Sequence, residues 1–176
     1  MKNYLGILGL FLIMACNNTE KKSTEEKDST TQQTTAKNTN INFKDSKLQS
    51  IYTNYLNLKD SLVAGKIQGA KEAAKLLSTD LKTYTGCENT SIIAQKIENA
   101  KDLATQRKEF TGLSSDVIAL FKHAELTTGT IYVQHCPMAN NGDGGDWLSS
   151  DKKIQNPYYG DEMMECGAVV AEIKAK

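Results

Sequence analysis

Between Leu48 and Ala124 apolar side chains return every three or four positions, the spacing that gathers them on one face of an α-helix. The first stripe, Leu48, Ile51, Tyr55, Leu58 and Leu62, ends at Gly65. A second, Ala70, Ala73, Ala74, Leu77, Leu81 and Tyr84, closes at Gly86, the residue type favoured just past a helix end. A third is expected to begin after Thr90 or Ser91 and to run through Ile93, Ile97, Ala100, Ala104 and Phe110. The fourth, capped by Ser114 or Ser115, carries Val117, Leu120, Phe121 and Ala124. Short connections make successive helices antiparallel, so the pattern predicts a mainly α protein built as a four-helix up-down bundle.

After Gly129 the period changes. Thr130-Ile131-Tyr132-Val133-Gln134 and Ala168-Val169-Val170-Ala171-Glu172-Ile173 are rich in β-branched residues and read as strands. The intervening stretch is dense in turn formers, Asn140-Asn141-Gly142-Asp143-Gly144-Gly145-Asp146 above all. A small C-terminal element of two strands and a structured loop, packed on the bundle, is expected.

The other end of the chain predicts an address. Met1-Lys2-Asn3 precedes an apolar run from Tyr4 to Met14, followed by Ala15-Cys16. A basic start, a short apolar core and a small residue before a cut describe a secretory signal, here residues 1–15. As a helix the run rises only about 16 Å, half of a hydrocarbon core, which argues against a transmembrane span. Ile13-Met14-Ala15-Cys16 is similar to a bacterial lipobox, so Cys16 is expected to carry lipid and tie the protein to a membrane. From Asn17 to Asn40 the lone apolar residue is Ala36, too little to offset ordering entropy. The expected organisation is a signal peptide (1–15), a lipidated cysteine with a disordered tether (16–43), and one helical domain (44–176) holding the C-terminal loop. Asn17 is not the aspartate that retains lipoproteins at an inner membrane, which favours the outer membrane, facing the periplasm.

Charge excludes one class of partner. Lys plus Arg and Asp plus Glu number 21 each, with no basic stripe and no glycine-aromatic strand motif, so nucleic acid is not expected. With Cys16 lipidated, Cys87, Cys136 and Cys166 remain. In an oxidising compartment an odd count leaves a thiol over or shared between chains.

Two of these cysteines lie in motifs that bracket the loop: His135-Cys136-Pro137-Met138 and Met163-Met164-Glu165-Cys166-Gly167. Each joins a thiol to a thioether, the soft ligands that select Cu(I) or Ag(I) over Mg²⁺ and Ca²⁺. Pro137 biases Cys136 towards extended backbone, which would aim Cys136 and Met138 to one side. Extended spacing would likewise pair Met164 with Cys166, whereas a helical turn would make Met163 its neighbour. His135 offers a nitrogen ligand but faces the other way in a strand. The alternative is a Cys136–Cys166 disulfide, closing a loop of about thirty residues and worth ~3–4 kcal/mol in the entropic account.

The remaining candidates have plainer readings. A Cys136–His135 nucleophile lacks a third, orienting group, so the protein is not expected to be an enzyme. Asp143 and Asp146 lack calcium-loop spacing and read as a polar turn. Trp147, Tyr158 and Tyr159 are expected to anchor the loop in apolar packing, His123 to sit near a helix end, and Cys87 to be a small buried residue or free thiol.

Tyr52 to Gly65 (YTNYLNLKDSLVAG), Gln106 to Ser114 (QRKEFTGLS) and Ile131 to Gly167 resemble the family called domain of unknown function 3347. The C-terminal signature, here IYVQHCPMA and then WLSSDKKIQNPYYGDEMMECG, matches best, and the resemblance spans about Leu48 to Ile173. That family occurs as exported lipoproteins and is found joined to periplasmic adaptor subunits of copper and silver efflux pumps. The resemblance therefore implies heavy-metal handling at the envelope, with an efflux complex as partner. It sets Cys136, Met138, Met163 and Cys166 on the signature positions, preferring Met163 where strand spacing prefers Met164.

Overall fold

The computed structural model describes residues 40–175. The signal sequence, Cys16 and most of the expected tether lie outside the described residues.

The chain enters as a short strand, β1 (Asn42–Phe43), and continues through helices α1 (Ser46–Val63), α2 (Ile67–Lys82), α3 (Glu88–Asn99) and α4 (Leu103–Lys122). The two anticipated stripes are buried in α1 and α2, with Ile51, Tyr55, Leu58, Leu62, Ala70, Ala74, Leu77 and Leu81 fully enclosed, except that Tyr84 lies beyond the end of α2 and is half-buried. Asp45 opens α1 by accepting the Lys47 N–H at 2.8 Å. Each helix packs against the next in sequence.

The second half of the helical region is divided differently from the expectation. α3 starts at Glu88, before Thr90 and Ser91, and stops at Asn99, where Ala100 turns extended. Ala104 and Phe110 belong to α4, whose start is set by the Asp102 carboxylate accepting the Thr105 N–H at 2.7 Å. Ala104 is exposed, and Ser114 lies inside α4, not at its cap. The Ser114 side chain is fully buried, and its hydroxyl shares a 2.6 Å hydrogen bond with that of Tyr55. A tertiary partner for the hydroxyl removes the usual reason for serine to end a helix.

The β component is also larger than two strands. β2 (Leu126–Thr128) pairs antiparallel with β1, while β3 (Thr130–Cys136) is the centre of a second antiparallel sheet, ordered β4-β3-β5, with β4 (Gly145–Ser149) and β5 (Ala168–Lys174). β3 and β5 are the strands anticipated from composition. β1 overturns the tether's boundary at residue 43: Ile41 and Phe43 are buried, and the Phe43 ring meets Tyr52 and Phe121 at 5.4 and 5.1 Å. β4 lies against α1 and α4, its Leu148 N–H donating to the Tyr55 hydroxyl at 3.0 Å. Helices and sheet thus share one core.

Candidate functional site: a thiol pair beside the sheet

Cys136 is the last residue of β3 and is fully buried. Alternation along β3 is reset by a bulge between Val133 and Gln134, after which Gln134 and Cys136 point inward and His135 outward. Gln134 is fully enclosed and fully used: its Oε1 accepts the Trp147 Nε1–H at 2.7 Å, and its Nε2 donates to the Asp151 carbonyl at 2.8 Å. One amide thereby fixes both β4 and the start of the following loop against β3.

Cys166 arrives from the far end of that loop. The chain there turns instead of extending, because the Cys166 N–H donates to the Met163 carbonyl at 3.1 Å. This brings the backbones of Met163 and Cys166 together across the turn. Asn156, also fully buried, holds the segment: its N–H donates to the Met164 carbonyl at 3.0 Å and its Nδ2 to the Cys166 carbonyl at 3.1 Å. Gly167 completes the approach. Its φ is +141°, and a Cβ there would fall 2.7 Å from the His135 carbonyl oxygen, so only glycine lets the chain come this close to β3.

The result is a Cys136–Cys166 sulfur separation of 2.7 Å, with neither cysteine in a disulfide. Cys136 is enclosed while Cys166 is partly exposed. The thiol of Cys166 is pushed up, first by its hydrogen bond with Cys136 and then by burial, while the Met138 N–H pulls the other way. That amide places the Met138 backbone beside the pair, and the Tyr159 hydroxyl fastens it by donating to the Met138 carbonyl at 2.6 Å. The Met138 side chain itself is 52% exposed, and Met163 and Met164 are half-buried.

The other candidates lie apart from the thiol pair, and Asp146, expected in a polar turn, is instead a residue of strand β4. His135 Nδ1 lies 2.9 Å from the Asp146 carboxylate across the β3–β4 ladder. Asp143 follows a short 3₁₀ turn and is exposed. Trp147 and Tyr158 are buried edge to face, and the Tyr158 hydroxyl donates to the Asp146 carbonyl at 3.0 Å. His123 caps the end of α4, and Cys87, at the start of α3, is buried with its thiol pushed up by that burial. Among the described residues no three His, Cys, Asp or Glu side chains cluster to hold a metal. Also among them, no helix is long and apolar enough to cross a membrane. Gln134 and Asn156 position the site but carried no signal in the sequence, since a buried amide is legible only once its partners are known.

These features define a class: a helical body with a small antiparallel sheet, at whose edge a buried and a half-exposed thiol meet. Residues 51–129 match the family described as "Protein of unknown function (DUF3347)". The match runs from α1 to Gly129 and ends before β3, so the sulfur-bearing signature lies beyond the matched residues. No curated protein and no solved structure matches the chain.

Proposed function

We propose that this protein is an envelope lipoprotein, anchored through lipid on Cys16 to the outer membrane, that binds a soft heavy metal, Cu(I) or Ag(I), and acts in metal handling or efflux. Its role is binding, not catalysis, and the helices, taken as an up-down bundle, serve as a rigid mount. The observation that carries the metal reading is the convergence of Cys136 and Cys166 to 2.7 Å from opposite ends of a thirty-residue separation. Thiolates supply charge as well as softness, so this pair would provide most of the affinity. Met138 and Met163 flank it in sequence and would complete the ligand set, with Met164 and His135 as weaker claimants.

The fit requires one adjustment. A soft ion bonded to both sulfurs at about 2.3 Å needs them roughly 3.8–4.6 Å apart, from tetrahedral to linear. The pair must therefore open by more than 1 Å, and the Cys166 side chain, partly exposed on a turn whose backbone is anchored, is the one with room to rotate. In the reduced protein one equivalent of Cu(I) should be held against a competing chelator. Cys136→Ser or Cys166→Ser should weaken binding by orders of magnitude, Met138→Leu and Met163→Leu less, and Cys87→Ser not at all. Unchanged affinity in the double Cys136→Ser/Cys166→Ser variant would overturn the reading.

The short sulfur separation favours a second reading, in which Cys136 and Cys166 form a permanent disulfide and the protein is a stapled interaction module tethered to the membrane. Intact mass with and without a thiol-blocking reagent separates the two. Two blocked thiols at these positions support metal binding, whereas a protein lighter by two hydrogens and inert to the reagent supports the staple.

A further inference from the structure

We infer that Cys136 and Cys166 are a thiol–disulfide exchange site, in which Cys166 is the entry thiol and Cys136 the resolving one. The pair is asymmetric in access: Cys136 has no exposed surface, while Cys166 is partly exposed on a turn. A small-molecule disulfide from solution can therefore reach the Cys166 sulfur and not the other. The Cys136 sulfur waits 2.7 Å behind it, buried against the core, where Cys166 is its thiol neighbour among the described residues. Cys87 sits at the start of α3 and supplies a buried internal control on the same chain.

The chemistry balances with one co-reactant, a low-molecular-weight disulfide RSSR. The Cys166 thiolate attacks one sulfur of RSSR, forming a Cys166–SR mixed disulfide and releasing RS⁻. The Cys136 thiolate then attacks the Cys166 sulfur, the Cys166–SR bond breaks, and a second RS⁻ leaves as the Cys136–Cys166 bond forms. The protein has lost two protons and two electrons, and RSSR has become two RSH. Excess RSH runs the sequence backwards, again entering at Cys166. The anchors around Cys166 favour the second step. Asn156 and Gly167 hold the residue beside β3 whichever partner its sulfur carries, so the mixed disulfide is short-lived.

The inference uses the same cysteines as the metal reading but does not depend on it; oxidation would remove both thiolates and silence any metal site there. It is tested on the purified full chain, fully reduced, with glutathione disulfide as the probe and peptide mapping by mass as the readout. The wild type should become lighter by two hydrogens without accumulating an adduct. Cys136→Ser should trap glutathione on Cys166, and Cys166→Ser should leave Cys136 unmodified over the same period. A parallel measurement avoids variants: brief alkylation of the reduced wild type should label Cys166 at least about tenfold faster than Cys136. Equal labelling of Cys136 and Cys166 in the wild type, or a lasting glutathione adduct on wild-type Cys166, would overturn the inference. The metal reading fails separately, by Cu(I) titration of the reduced protein.

Discussion

The helical body and the sheet that carries the thiol pair are held together by different kinds of interaction. In α1 and α2 most of the buried residues are aliphatic or alanine, with Tyr52, Tyr55, Lys59 and Ser78 as the exceptions. When one of these side chains is trimmed, its apolar neighbours can relax into part of the space. In the β3–β5 region the positioning residues are polar and single: Gln134 ties β3 to Trp147 and to the 151–153 turn, and Asn156 ties the Cys166 turn in place. A buried polar group has no substitute partner in an apolar core, so removing it leaves its partners unsatisfied. The body should therefore tolerate conservative change, and the sheet should tolerate very little.

The largest test joins the two regions. Phe110 stacks on Tyr55 at 5.6 Å and meets Tyr158 at 5.8 Å, so it lines both the helical core and the loop behind the thiols. Phe110→Ala should cost about 3–5 kcal/mol in urea unfolding, with helix signal and Trp147 fluorescence disappearing in one transition. Fluorescence changing well before the helices melt would show two independent units and break the shared-core account.

Next comes the contrast itself. Gln134→Leu keeps roughly the same volume but strips the Trp147 Nε1–H of its partner and removes the amide's bonds to the 151–153 turn, and should cost about 1–3 kcal/mol. Leu113→Met, an apolar swap at a fully buried position of α4, should cost less than about 1.5 kcal/mol. If the two variants lose the same stability, polar dependence of the sheet is not what distinguishes it.

A smaller effect separates Ser114 as a core hydroxyl from Ser114 as a cap. Ser114→Ala should cost about 1 kcal/mol through the Tyr55 hydrogen bond, while exposed Ser115→Ala should stay within about 0.5 kcal/mol. Equal losses at both would restore a helix start there.

The smallest effect is electrostatic. The Thr105 N–H holds the Asp102 carboxyl below its ordinary value of 3.8. Because the folded value is the lower one, the ionised cap adds stability above pH 3.8, and the contribution is lost as pH falls through the folded value. Asp102→Asn keeps an acceptor for the N–H but removes the proton uptake, so its stability should fall less than the wild type's on acidification below that range. Parallel acid profiles would mean Asp102 does not start α4.

Leu48 through Leu81 could be assigned to two buried helix faces from spacing alone, because a helix is specified by residues three or four apart and closes its own hydrogen bonds. The β-branched runs that became β3 and β5, and the sulfur motifs at Cys136 and Cys166, were legible for a similarly local reason, composition over a few residues. The α3–α4 boundary was not. The apolar rhythm carries on through Ala100 and Ala104, and the break depends on one short cap at Asp102 that competes with Ser114 on equal terms until the Tyr55 hydroxyl is known to sit opposite. β1, β2 and β4 are strands because of what they pair with, and β4 owes its position to Tyr55, 93 residues away. The turn from Met163 to Cys166 is likewise set from outside, by Asn156 and by the close approach of Gly167 to β3. Local spacing could present the two thiols as candidates; only long-range pairing, by satisfying buried amides and excluding every residue but glycine at position 167, could bring their sulfurs to 2.7 Å.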